Sequence, residues 1–401
     1  MNNKPTFHFF ALAAVGVGLS GGDRIFIEFA RRWVKWGNKI YIHLWEEGYN
    51  ITQAQKLQHK NIKFEIINMG IWPKFGFLVN YIARILAGII LGLKITLPKF
   101  VIVYSCSDFL MDLLPAFLLK ARFRGKVKWV AGWYQTAPSP FIGFREGKRD
   151  KAYRLTALFY WLSQMVSKPL ILRFADFVLV NNIEEKKQFS ELDNIGKVVV
   201  VLGAVDLDNI KKYLKQNQTL RDEEPKYDAV FQGRFHPQKG VTELIDIWAK
   251  VVRERNNAVL AMIGDGELMN DVISKIKSNK LERNVRIFGY LYDGPEKYRI
   301  FTQSKVVVHP AFYDSGGMAS AEAMAFGLPA VGFDLKSYKS YYPKGMLKVP
   351  VGNLEGFSES ILKLLNNEKL RLKLGKEGRD MIQKDWSWDK RAREVISEIT
   401  S

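Results

Sequence analysis

The chain has 401 residues, 47% of them hydrophobic, and a formal net charge of +19. That length supports two or three domains with a large core. One cysteine, Cys106, excludes an intrachain disulfide and fits a reducing compartment, and five histidines with no Cys or His cluster leave a structural zinc site without ligands. The charge calls for an acidic partner, whether nucleic acid, an anionic membrane surface or a phosphorylated small molecule, and does not choose among them.

The start, MNNKPTFHFFALAAVGVGL, holds one lysine ahead of an apolar run. His8 interrupts that run and no small-residue cleavage pattern follows, so residues 6–12 predict a first strand rather than a leader. The next stretch, AVGVGLSGGDRIF, spells G-x-G-x-x-G at Gly16, Gly18 and Gly21, with Gly22 following, and a helix pattern covers residues 23–36. Glycines let backbone approach a ligand, and the helix N-terminus offers N–H groups and a positive dipole end to an anion. With Glu46 and Glu47 ending the strand at 39–45, the full company of a dinucleotide loop is present, so the stretch alone leaves a nicotinamide enzyme open.

Strand patterns continue at 62–68, 100–105, 127–132, 176–181 and 197–202, each separated by a helical pattern. Between two of them, the longest charge-free core after Arg84 is 85–93, short of the roughly 18 residues a spanning helix needs, which predicts a non-spanning apolar helix. A second series follows at 228–232, 258–263, 284–288, 305–309 and 329–333. Two alternating series predict an α/β chain of two Rossmann-like domains with parallel sheets. The polar run after GAVDLDNI places the boundary: an N-terminal domain at 1–206, a second at 207–385, and a last helix at about 386–401 packing back on the first. Asp206 and Asp208 form a D-x-D in this hinge, where a turn or helix cap is the better reading than a metal site.

The second series carries the more specific chemistry. Strand DAVFQ runs into Gly233-Arg234 and, at the mouth of the next helix, Lys239-Gly240. Two fixed cations at a strand end and a helix N-terminus suit a diphosphate; the alternative is two solvated loop cations. Further on, the strand ending at His309 leads through Asp314, Gly316 and Gly317 to a helix holding Glu322. The two carboxylates can converge on hydroxyls, and Glu322, set among alanines and Met324, wants a partner if its helix is buried.

GRFHPQKG, IGDGEL, NVRIFGYL and the D-x7-E block ending EAMAFGLPAV resemble the retaining GT-B glycosyltransferases of the group 1 type, glycosyltransferase family 4. The likeness is dense from about residue 199 to 400 and thinner before. It implies a GT-B fold with two sheets facing across a cleft, and a nucleoside-diphosphate sugar held mainly by the C-terminal domain. Arg234 and Lys239 would clamp the diphosphate and Glu322 would take the ribose hydroxyls. Asp314, where the family has Glu, would face the donor sugar. Gly233, Gly316, Gly317 and Met318 would support donor phosphate or sugar, with Gly16, Gly18, Gly21 and Gly22 lining the opposite side. In the loop WYQTAPSP, where relatives present a histidine, Tyr134, Gln135 and Thr136 become acceptor-side candidates. The resemblance implies retention of configuration, and the hinge position of Asp206 and Asp208 with the missing His/Cys cluster predicts catalysis without a metal or other cofactor.

Segments 72–98 and 141–174 mix aromatics, aliphatics and cations, which fits a face pressed into an anionic leaflet, against ordinary core helices with basic outer faces. The expected acceptor is thus a lipid-linked glycan or glycolipid, and the expected location cytoplasmic, peripheral on the inner face of the cell membrane. Dispersed basic residues with no reading motif argue against a nucleic-acid partner. An inactive GT-B binding protein is the other alternative, kept open by Asp314.

Overall fold

The computed structural model describes residues 4–14, 20–97, 99–138, 154–219 and 223–401. The described chain divides into two compact units, the first running to Val201 and resuming over Trp388–Ser401, the second covering Leu202–Ser387.

The first unit is built on β1 (Thr6–Phe10), β2 (Lys39–Trp45), β3 (Ile62–Ile67), β4 (Val101–Ser105), β5 (Val127–Trp133), β6 (Phe177–Val180) and β7 (Val198–Val200). These form one parallel sheet in the order β3-β2-β1-β4-β5-β6-β7. A sheet covered on both faces needs near-continuous apolar strands, and VIVYS and FVLV are such runs. KIYIHLW and IKFEII depart from this. In register, His8 pairs with Tyr41, Tyr41 with Lys63, and His43 with Glu65, so polar residues of three strands share one sheet face.

Helix α1 (Gly21–Lys35) starts at a reciprocal cap, in which Ser20 Oγ accepts from Asp23 N at 3.1 Å and Asp23 Oδ2 accepts from Ser20 N at 3.2 Å. Its buried face carries Phe26, Phe29 and Trp33. Trp33 Nε1 donates to Ala392 O at 3.0 Å in the last helix, Trp388–Thr400, which Arg32 also joins through Asp389.

After α2 (Glu46–Ala54) comes the apolar α3 (Phe77–Lys94), which packs on α4 (Leu110–Phe123). Length and composition alone would let α3 cross a membrane. Here Arg84, Gly88 and Gly92 form its buried stripe. A Cβ at Gly88 would stand 2.7 Å from Met111 O, and one at Gly92 would stand 2.8 Å from Pro115 Cα, so glycine sets how closely the helices approach. The Arg84 guanidinium donates to Leu12 O and lies over Trp45, 4.4 Å from the ring centroid. The opposite stripe, Leu78, Ile82, Leu86, Ile90 and Leu93, is exposed. Helix α5 (Arg154–Phe174) adjoins α3, Tyr81 OH lying 3.4 Å from Ser163 Oγ, and it exposes Leu162, Met165 and Val166.

The second unit has β8 (Tyr227–Gln232), β9 (Leu260–Ile263), β10 (Val285–Ile287), β11 (Ser304–His309), β12 (Ala330–Phe333) and β13 (Met346–Val349), parallel in the order β10-β9-β8-β11-β12-β13. The sequence patterns had not indicated β13. It is four residues long, bounded by Gly345 and Pro350, half-exposed at Met346 to Lys348, and paired on one side only. Apolar cores line both faces: Leu244, Ile245 and Trp248 with their partners on one, and Met324, Phe326, Tyr338 and Trp386 on the other. The carboxyl ends of the adjacent strands β8 and β11 therefore project two loops side by side.

Candidate functional site

The loop after β8 closes through a short turn, Pro237–Lys239, capped by His236, whose ring nitrogen accepts from Gln238 N at 3.2 Å. Gly240 sits at φ +64, and a Cβ there would stand 2.1 Å from Pro310 O. Glycine is required both by the left-handed conformation and by contact with the exit of β11. This packing starts the helix Val241–Glu254 directly behind Lys239. Arg234 is exposed, while Lys239 turns inward to place Nζ 2.5 Å from Asp314 Oδ2.

Asp314 is the hub of the second loop. Its Oδ1 accepts from the backbone of Gly316 at 3.1 Å and of Gly317 at 3.0 Å. Its Oδ2 accepts from Lys239, from His309 Nε2 at 2.9 Å and from Tyr338 OH at 3.3 Å. Ser337 Oγ donates to its backbone carbonyl at 2.7 Å. Burial disfavours the ionised carboxyl, but Lys239 and the His309 hydrogen bond outweigh it and hold Asp314 well below the usual carboxylate range. Burial lowers His309, so the ring is neutral and gives Nε2–H to Asp314. The carboxylate expected before a donor sugar therefore has both oxygens engaged by donors of its own unit, and it fixes Gly317, the left-handed N-cap of the helix Met318–Ala325.

Glu322, half-buried on that helix, has the partner that its apolar neighbours call for. Its Oε2 accepts from Lys297 Nζ at 2.7 Å and from Gln232 Nε2 at 3.0 Å. Lys297, on the helix Pro295–Thr302, has a side chain 2% exposed and also bonds Asp293. Burial disfavours its charge, but the two carboxylates outweigh this and raise its pKa. Arg234, Lys239, Gly233, Asp314, Gly316, Gly317, Met318 and Glu322 thus all lie on the β8 and β11 loops or the helix that follows.

In the first unit, Gly16 and Gly18 lie outside the described residues. Gly21 and Gly22 open α1, and Gly22 is close to Tyr134, whose hydroxyl bonds that of Tyr104. Thr136 is anchored by Glu185, its N–H donating to Oε1 at 2.8 Å and its hydroxyl to Oε2 at 2.5 Å. Gln135 O accepts from Tyr160 OH at 2.6 Å and from Gln164 Nε2 at 2.9 Å, and its own Nε2 is buried without a partner. Beside it Asp108, bonded by Gln164 Nε2 at 2.7 Å, has its carboxyl pushed up to about 7 by burial. Among the described residues no three His, Cys, Asp or Glu side chains are grouped to hold a metal ion.

Sequence reasoning missed Lys297, Gln232, Tyr338, Asp108 and Glu185. Only Lys297 carried a signal: it falls three and four residues before Ile300 and Phe301, on the buried stripe of its helix. A lysine in an apolar stripe asks for a buried acid.

Residues 212–381 match the model of glycosyl transferases group 1. Among similar proteins, the poly(ribitol-phosphate) alpha-N-acetylglucosaminyltransferase of Staphylococcus aureus (strain COL) is 29% identical over 157 residues, covering 38% of this chain and 31% of the relative. The amylovoran biosynthesis glycosyltransferase AmsD of Erwinia amylovora is 29% identical over 235 residues, covering 53% of this chain and 61% of the relative. The match therefore spans less than two thirds of either relative. Among solved structures, Anabaena HepE in complex with UDP and glucose superposes with a TM-score of 0.71 at 13% identity, covering 99% of both chains.

The Lys297 knot has a measurable consequence. Lys297→Met leaves Asp293 and Glu322 without their shared cation and should lower unfolding free energy by about 3 kcal/mol or more, the range for breaking a buried pair. Chemical denaturation followed by circular dichroism checks this; a loss under about 0.5 kcal/mol would place the pair in the class of surface bridges.

Proposed function

From the match of residues 212–381 to the group 1 glycosyl transferases and the GT-B fold of the chain, we propose that the protein transfers a sugar from a nucleoside-diphosphate sugar to a glycan acceptor. The observation that carries the reading is the placement of Lys239, held by Asp314 at a helix mouth with exposed Arg234 on the same loop.

As the glycosidic bond to the donor breaks, negative charge grows on the departing diphosphate. Cations already oriented act where that charge develops and need no reorganisation during the step. Lys239 has three N–H donors, so the one given to Asp314 leaves others for phosphate. Asp314 is in this reading a positioning residue, orienting Lys239 and the Gly316–Gly317 backbone. Glu322, oriented by Lys297 and Gln232, is the carboxylate this reading sets against the vicinal ribose hydroxyls. In this proposal transfer proceeds with retention of configuration, and Lys239 and Arg234 supply the neutralising charge in place of a metal. On the acceptor side, Gln135 Nε2 is the unpartnered donor.

The acceptor in this proposal is membrane-associated, a lipid-linked glycan or glycolipid, and the protein is cytoplasmic and peripheral on the inner membrane face. Supporting it, Trp72, Phe75 and Phe77 are 52%, 59% and 65% exposed beside the apolar stripe of α3. Aromatic rings at the head of an apolar stripe match headgroup depth, and net positive charge favours an anionic leaflet.

A screen of nucleotide sugars should find one that the protein turns over. In that assay Arg234→Ala and Lys239→Ala should remain folded and each lose about 100-fold or more in rate, the size of removing a preorganised charge contact, and EDTA should leave turnover largely intact. Near-wild-type rates in both variants would sink the diphosphate clamp; abolition by EDTA with rescue by magnesium or manganese would put a metal in its place.

The membrane reading has its own test. The full chain should sediment with vesicles containing anionic lipid, and salt should release most but not all of it. Joint replacement of Trp72, Phe75 and Phe77 by Ser should weaken the salt-resistant part and leave nucleotide binding unchanged. A folded triple variant with undiminished binding would refute the anchor at these residues.

A further inference from the structure

We propose that the cavity between the β1–β2–β3 sheet face and the C-terminal end of α3 is a binding site for a phosphate group, carried by a lipid headgroup or by a soluble phosphate ester. The cavity has a volume of about 460 Å³. It lies by the first residues of β1, β2 and β4, represented by Thr6, Lys39 and Val101. Rossmann-like sheets place their cofactor and substrate sites at the other, carboxyl ends of the strands, so this is a separate site.

Its floor is the polar sheet face. His8 Nδ1 is 2.9 Å from His43 Nε2, and His43 Nδ1 is 3.4 Å from Glu65 Oε2. The two imidazoles stack with Tyr41 on one side and Phe10 on the other, at centroid distances of 4.8, 5.2 and 4.7 Å along the row. Valine or isoleucine would fill such positions in a sheet covered on both faces, and buried polar groups without a task cost stability. Burial above all lowers both histidines to about 3, so both rings are neutral. With His8 Nδ1 bonded to His43 and His43 Nδ1 turned to Glu65, the outer nitrogen of the floor is His8 Nε2, whose lone pair serves a hydroxyl beside the phosphate or a protonated phosphate oxygen.

The rim supplies the charge. Lys39, Lys94 and Lys99 line the cavity and are exposed, against one carboxylate, Glu65, which is itself held by Lys63 at 3.2 Å. Exposed apolar side chains border this charged rim: Leu93 next to Lys94, Phe100 next to Lys99, and Ile66 next to Glu65. Lys94 ends the helix whose outer stripe is apolar, so a polar, cationic pocket opens where that stripe stops. The same juxtaposition, apolar contact beside phosphate recognition, is what a lipid headgroup presents.

The site does not rest on glycosyl transfer, and its test is separable from that reading. The full-length protein is titrated with glycerol phosphate by calorimetry and with phosphatidylcholine vesicles, with and without phosphatidylglycerol, by sedimentation. Lys39→Gln, Lys94→Gln and Lys99→Gln combined should weaken binding of at least one probe about tenfold, the loss of about 1.4 kcal/mol. The control triple Lys277→Gln, Lys280→Gln and Lys373→Gln, with the same charge change on the other unit, should stay within about twofold of wild type, as expected of solvated charges. His8→Phe, which keeps the lysines and fills the floor, should reproduce the loss. Vesicle binding that is lost selectively in the cavity variants, or that glycerol phosphate displaces, supports a headgroup; selective loss of glycerol phosphate alone supports a soluble ester. Equal behaviour of the two triples toward both probes overturns the site. Nucleotide-sugar turnover, unchanged in all these variants, shows that such a failure leaves the proposed activity standing.

Discussion

The arrangement of the second unit's loops depends on one carboxylate kept ionised in a buried place. Asp314 is tolerated there because each oxygen has donors: two backbone amides on one, and an ammonium, an imidazole and a phenol on the other. A buried charge with that many fixed partners cannot shift without leaving several groups unsatisfied together. The direction of Lys239, the left-handed turn at Gly317 and the start of the helix carrying Glu322 all follow from it. A shorter acid suits this task, since the loop amides come to the carboxylate rather than the carboxylate reaching outward.

A second charged knot lies on the same helix as the first ends. Glu322 and Asp293 share Lys297, so the buried ammonium is paired with two carboxylates and an acid on an alanine-rich helix has a partner. The two knots divide the labour. One orients a cation and the other orients an anion, and both are anchored by residues on neighbouring elements, so the loops they hold behave as parts of the sheet scaffold.

Much of the fold was legible because hydrophobic period reports on burial directly. The alternation of apolar runs with amphipathic helices marked twelve of the thirteen strands among the described residues; β13 escaped because a four-residue edge strand with only one residue fully buried has no long continuous apolar run. The exposed cation Arg234 and the glycine pair around Lys239 were legible as local spacing. What pairs with what was not: Lys239 meets Asp314 across 75 residues and Glu322 meets Lys297 across 25, separations at which sequence pattern carries no geometry. Helix α3 shows the same limit. Its apolar composition is plain in the sequence, but which stripe faces in was decided by Gly88 and Gly92 meeting α4, and that leaves leucines and isoleucines outside.

The path of the chain has a consequence for its synthesis. Among the described residues the second unit is one uninterrupted stretch, Leu202–Ser387, whereas the first begins at the start of the described chain and takes its final helix, Trp388–Thr400, from the other side of that stretch. Trp33 Nε1 and Arg32 each take one partner from this helix, Ala392 O and Asp389. On a ribosome the second Rossmann-like unit can close before the earlier-made one, whose helix α1 keeps an uncovered tryptophan until residue 392 has emerged. The order of completion is the reverse of the order of translation, and the apolar face of α1 is the surface a chaperone would meet during the wait.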